Sequence, residues 1–158
     1  MNVPAPITLA AEPVFNACPV EQALGRLVPD QGATPETHKL VETAIQQPEI
    51  ASRPPLIAAL WLLVDELDRS HVISQGISDS TGSFWHGIMH RREGDFSNAH
   101  HWFRKVGKHP AMQQIEGYDA HQFIDDVEAA GTDAESLVEL QRREWQILFA
   151  WCSQQAVG

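Results

Sequence analysis

The chain has 158 residues, 43% of them hydrophobic and 20% charged, which is the composition of one folded domain and excludes intrinsic disorder. With 21 acidic residues against 11 basic its formal net charge is −10, which excludes general binding to nucleic acid or to an anionic membrane, since both need a positive field. The longest apolar run, LIAALWLLV, spans only residues 56–64, whereas a bilayer-crossing helix needs about 20 residues.

Residues 1–33 hold five prolines without a clear period and are expected to form an extended N-terminal arm, with at most a short turn of helix at PVEQALGRL. No Lys or Arg precedes Arg26, so the positive start of a targeting peptide is missing. Cys18 and Cys152 form no CxxC pair. A cytoplasmic protein with reduced thiols is the economical expectation, and a disulfide between the two stays open.

Residues 34–158 are expected to form a single helical domain. TPETHKLVETAIQQP offers Thr34 as N-cap, Pro35 at the first helical position, Leu40, Val41, Ala44 and Ile45 on one face, and Pro48 as a stop. A second helix is predicted from about Pro55 to Gln75, with Leu56, Leu60, Leu63, Leu67 and His71 on one stripe, so that the stripe ends in an imidazole. GISDSTGS is loop by composition. A third helix is expected over Phe84–Glu93 and a fourth over Phe96–Val106, with Gly94 and Asp95 turning between them and Gly107 and Pro110 ending the pair. DAHQFIDDVEAAG follows, helical to Ala130 with Gly131 as its stop. A last helix opens with a Thr132–Glu135 capping box and carries apolar residues at 137, 140, 148 and 151. No strand-like alternation occurs, so the predicted fold is all-α, a compact bundle of about six helices.

Residues 83–110 concentrate chemistry. They hold five of the eight histidines and five of the eleven basic residues, Arg91, Arg92, Arg104, Lys105 and Lys108, leaving 6 basic and 19 acidic residues elsewhere. A local cationic region on an acidic body suits a small anion better than a long polyanion.

Within this stretch, GIMHRREGDFSNAHHWFRKV resembles one tetratricopeptide repeat. Gly87 takes the first small position, His90 the large one, GDF at 94–96 the turn, Ala99 the close-contact alanine and Phe103 the aromatic. Val106 stands where the family prefers alanine, and His86 and His90 where it prefers an apolar and an aromatic side chain. One repeat is matched and no second copy near a period of 34 is visible, so the resemblance implies an antiparallel helix pair rather than a solenoid. The wider string, LWLLVDELDRSH together with FWHGIMHRREGDFSNAHHWFRKVGKHP, is similar to a group of uncharacterised bacterial proteins to which no activity attaches.

At about 100° per residue the third helix places Phe84, Trp85, Ile88 and Met89 on one side and His86, His90 and Glu93 on the other. The repeat register turns the second side toward the fourth helix, so the two imidazoles are expected to be buried and to need partners. DRSH places Asp68 and His71 at i, i+3, and a return through 76–82 brings His71 toward the third helix. His71, His86 and His90 are therefore candidate ligands of a zinc-like divalent metal, with Asp68 or Glu93 behind them or as a fourth ligand. Arg91 and Arg92 join Asp68 and the three histidines as candidate ligand-binding residues for a small anionic or polar molecule. The alternative, histidines simply hydrogen-bonded to carboxylates and backbone, stays open.

The other candidates read as structure: Trp61, Trp85 and Trp102 as packing, Arg104 and Lys105 as a solvated face, His100 and His101 as capping or surface residues, and His121 with Asp125 as a contact along one helix. No HExxH, Gly-x-Ser-x-Gly or phosphate-loop motif accompanies STGS or the histidines. Two functions remain in competition: a small-ligand or metal site that does or does not catalyse, and a tetratricopeptide-like adaptor that binds a protein partner.

Overall fold

In the computed structural model, which describes residues 1–157, helix formation begins earlier than the leader's prolines suggest. Helix α1 runs Ala5–Ala17. Its Ile7, Ala11 and Val14 recur at helical spacing and are buried against the body, so this segment is not the extended arm expected from its composition. Pro6 sits in the first turn, where no amide donor is needed, and Pro13 lies on the exposed side of the helix. Val20, Leu24 and Leu27 bury the irregular segment that follows.

Helix α2, Pro35–Ala44, starts as predicted: the Thr34 side chain accepts a hydrogen bond from the Thr37 amide at 3.2 Å. Pro48, expected as a stop, instead opens the single turn α3, Pro48–Ala51. The helix expected over 55–75 is two helices, α4 (Pro54–Leu63) and α5 (Leu67–Gln75). Between them Asp65 takes a left-handed backbone, φ 65°, which an aspartate tolerates better than most residues. Helix α4 is buried on every side through Leu56, Ala59, Trp61 and Leu63, and forms one axis of the core.

The second axis is α6, Ser80–Arg92, whose residues from Thr81 to Arg92 are all buried. It begins four residues before the expected start because Asp79 caps it, accepting from the Gly82 amide at 3.1 Å. Gly82 is required there: a Cβ at that position would lie 2.1 Å from the Ile77 carbonyl oxygen. Helix α7, Phe96–Val106, has the predicted bounds and folds back on α6. The two approach closely at Gly87, where a Cβ would come within 2.7 Å of the Phe103 ring.

A short 3-10 helix, Pro110–Gln114, then leads to α8, Ala120–Ala130, which ends at Gly131 as expected. Helix α9, Glu135–Ser153, closes the bundle over α4, with the Trp145 indole donating to the Ala59 carbonyl at 3.0 Å. The expected Thr132 capping box is not formed: Ala134 occupies the cap, and Asp133 turns away to accept from the Leu27 amide and pair with Arg26. The described residues thus form nine α-helices and no strand, against an expectation of about six. None of these helices is long and apolar enough to cross a membrane.

Candidate metal centre

His86 and His90 lie one turn apart on α6, and His71 is presented by α5, which packs across that face. Since α6 is buried on all sides, its two imidazoles are 2% and 5% exposed, while His71 is half-buried at the edge. The three rings form a triangle: 4.7 Å between the centroids of His71 and His86, 5.3 Å between His71 and His90, and 4.7 Å between His86 and His90. One nitrogen of each lies within 4.8 Å of the others.

The proton inventory of these rings is informative. His90 Nδ1 is 2.6 Å from Glu93 Oε1, one turn further along. A carboxylate there fixes Nδ1 as the N–H donor and leaves the Nε2 lone pair of the neutral ring unspent. His86 is more unusual: both its nitrogens are buried and neither has a hydrogen-bond partner in the protein, whereas Trp85, Arg91 and Arg92 each leave a single nitrogen in that state. Leaving a buried polar group unpaired costs about 1–3 kcal/mol, so a folded protein rarely carries two such atoms on one ring without use for them. Burial above all, with repulsion from any charge on the neighbouring His90, His71, Lys105 and His101 adding to it, pushes the His86 imidazole down to a pKa of about 3. Its lone pair is therefore free at neutral pH.

This donor set fits a borderline divalent metal. Imidazole nitrogens bind zinc at about 2.0–2.1 Å, which puts neighbouring ligand atoms of a tetrahedron on the order of 3.4 Å apart. One nitrogen of each imidazole already lies within 4.8 Å of the others, not far from that spacing. Three protein ligands leave one position of a four-coordinate ion open, the pattern of sites that take a water or an exogenous group. Glu93 stands behind His90 as its orienting carboxylate. A second potential group, His90 with Glu93 and Asp95, shares that imidazole at the exposed rim.

The remaining predicted site residues are not brought to this centre. Asp68 is exposed and lines a shallow cavity with Asp65 and Glu66. Arg91 points the other way, into the core, where its guanidinium donates to Glu144 at 2.7 and 2.9 Å and to Gln141 at 3.3 Å and lies 4.1 Å over the Phe123 ring. Tyr118 donates its hydroxyl to the same Glu144. Arg92 is equally buried, donating to the carbonyls of Leu62 and Arg26 and pairing with Asp65 at 2.8 Å. Both arginines fasten α6 to its neighbours, and neither guanidinium has reach to spare for a ligand at the histidines.

Three features escaped the sequence reading. Trp102 is not merely packing: its ring stacks on His86 at 3.7 Å, 14° from parallel, and roofs the cluster. His100 joins α7 to α8, with Nδ1 2.7 Å from Nδ1 of His121 and Nε2 2.8 Å from Asp125. His109 is buried between Thr81, 2.9 Å from its Nε2, and the Ala111 amide, which donates to its Nδ1. The STGS hydroxyls are accordingly engaged away from the histidine cluster, Thr81 with His109 and Ser80 with the Val106 carbonyl. The cavity of about 500 Å³ lined by Arg53, Asp79, Thr81, Trp151 and Cys152 lies apart from the three histidines, and burial pushes its Cys152 thiol up to about 12. Both cysteines are free thiols.

Comparison with known proteins finds no match to a family model, to a curated protein or to a solved structure.

Proposed function

We propose that this protein binds a divalent, zinc-like metal ion through His71, His86 and His90 and presents its open coordination position to a small anionic or polar molecule. The observation that carries this reading is the double orphan at His86, a buried neutral imidazole with no partner for either nitrogen, set between two further imidazoles. Glu93 acts as the carboxylate that orients His90. A metal held by His71, His86 and His90 would supply a Lewis acid and polarise a bound water, with Trp102 covering His86 beside it and the three ligands coming from α5 and α6. An adaptor function draws less support, because none of the exposed large apolar side chains, Met1, Leu9, Val28, Val72 and Val157, comes from the repeat-like pair α6–α7.

The test is thermal unfolding of metal-free, untagged protein with and without zinc. An ion that binds only the folded state stabilises it by about 2.7 kcal/mol at a hundredfold excess over its dissociation constant, so the midpoint rises with zinc concentration. His86→Ala and His90→Ala should remove the rise. A wild-type midpoint indifferent to zinc, cobalt and nickel rules the reading out.

A further inference from the structure

The cations nearest the cluster in sequence, Arg91 and Arg92, are held in the core by Glu144 and Asp65. The positive charge that reaches the histidines comes instead from α7. Lys105, one turn beyond Trp102, places its ammonium 4.4 Å from the centroid of that indole. The His86 ring stacks on the same indole at 3.7 Å. Trp102 thus links the cluster to Lys105, which lies on the exposed side of α7. These spacings keep the ammonium within about one screening length of His86, roughly 8 Å in physiological salt. His101, also exposed, stands edge-on to Trp102 at 5.5 Å.

The charge balance then asks for an anion. Three neutral imidazole ligands contribute no negative charge, so an ion at this centre would keep its full double charge in a mostly buried place, with the Lys105 ammonium close by across Trp102. The carboxylates grouped with His90 are engaged, Glu93 with His90 itself and Asp95 with the Asn98 amide as the cap of α7. A net positive buried site is relieved by an anionic fourth ligand.

We infer that the open position of the His71–His86–His90 centre takes the oxyanion group of a small molecule, a phosphate or a carboxylate, and that Lys105 and His101 are its outer recognition residues. This rests on the metal reading, and the test separates the two. Cobalt(II) is added to the full, metal-free chain and its visible absorption recorded, then inorganic phosphate and acetate are titrated in separate arms at constant ionic strength.

The expected result is an intense low-symmetry cobalt spectrum that shifts and saturates with an oxyanion, with apparent affinity about fivefold weaker in Lys105→Glu and weaker still when His101→Ala is added. A response to phosphate alone assigns a phosphate group, and a response to acetate alone assigns a carboxylate. A cobalt spectrum that neither anion alters overturns the oxyanion inference while the metal reading stands. A shift of equal affinity in Lys105→Glu overturns the role of the α7 residues. Failure of cobalt to bind at all overturns both.

Discussion

His86 makes the sharpest prediction, because metal-free protein must hold it buried, neutral and unpaired. In the unfolded chain its ring takes up a proton as pH falls below its ordinary value of 6.5, whereas in the fold it does so only near 3. Between those values the unfolded chain binds more protons, so stability is complete above about 6.5 and is lost as pH falls through the window. The slope from this one group is about 1.4 kcal/mol per pH unit, or about 2 kcal/mol between pH 6.5 and 5. The perturbation is His86→Leu, which removes both the titration and the two orphaned nitrogens while filling a similar space under Trp102. Urea unfolding of metal-free wild type and variant at pH 7 and pH 5 reads the difference. His109, whose pKa burial also lowers, contributes equally to both proteins and cancels. The variant should be as stable as wild type or up to about 1–3 kcal/mol more stable at pH 7, and should lose about 2 kcal/mol less on going to pH 5. A variant several kcal/mol less stable at pH 7, or with the same acid sensitivity as wild type, would refute the account of His86 as an unpaired neutral imidazole.

Other expectations follow from neighbouring contacts. Glu93→Gln removes the carboxylate that orients His90, and zinc affinity measured by competition with a chromophoric chelator should fall by about 10–100-fold with the fold intact. Arg91→Met strands Glu144 in the core and should cost about 3–5 kcal/mol in urea unfolding, and part of that should return when Glu144→Gln is added, as expected of a buried ion pair and not of a ligand contact. Gly87→Ala drives a methyl group into the Phe103 ring and should lower stability by about 1–3 kcal/mol, with a matching drop in the thermal midpoint.

The parts of the fold that were legible in the sequence are those governed by local rules. Thr34 and Pro35 start α2, the Gly94-Asp95 turn and Gly107 bound α7, and Gly131 ends α8, each through a cap or turn that only a few residue types satisfy. The histidine triangle was legible too, because His86 and His90 share a face of one helix and His71 ends the preceding stripe. What stayed hidden depends on partners far along the chain. Asp65 breaks α4 from α5 within an unbroken leucine stripe, and its carboxylate is claimed by Arg92. Arg91 looks like a surface or ligand cation until Glu144 arrives from α9. Helix α1 hides behind its prolines, since Pro13 disfavours a helix locally and only the burial of Ile7, Ala11 and Val14 outweighs it. At Gly82 the reason for a glycine inside a helix is the backbone of Ile77, which no periodicity discloses.

The central claim is that His71, His86 and His90 form one metal centre, and elemental analysis of protein purified without an affinity tag tests it most directly. The account predicts close to one zinc-like divalent ion per chain in the wild type, lost in His86→Ala and His90→Ala of verified fold. Metal far below one per chain, at a level that His86→Ala leaves unchanged, would contradict it.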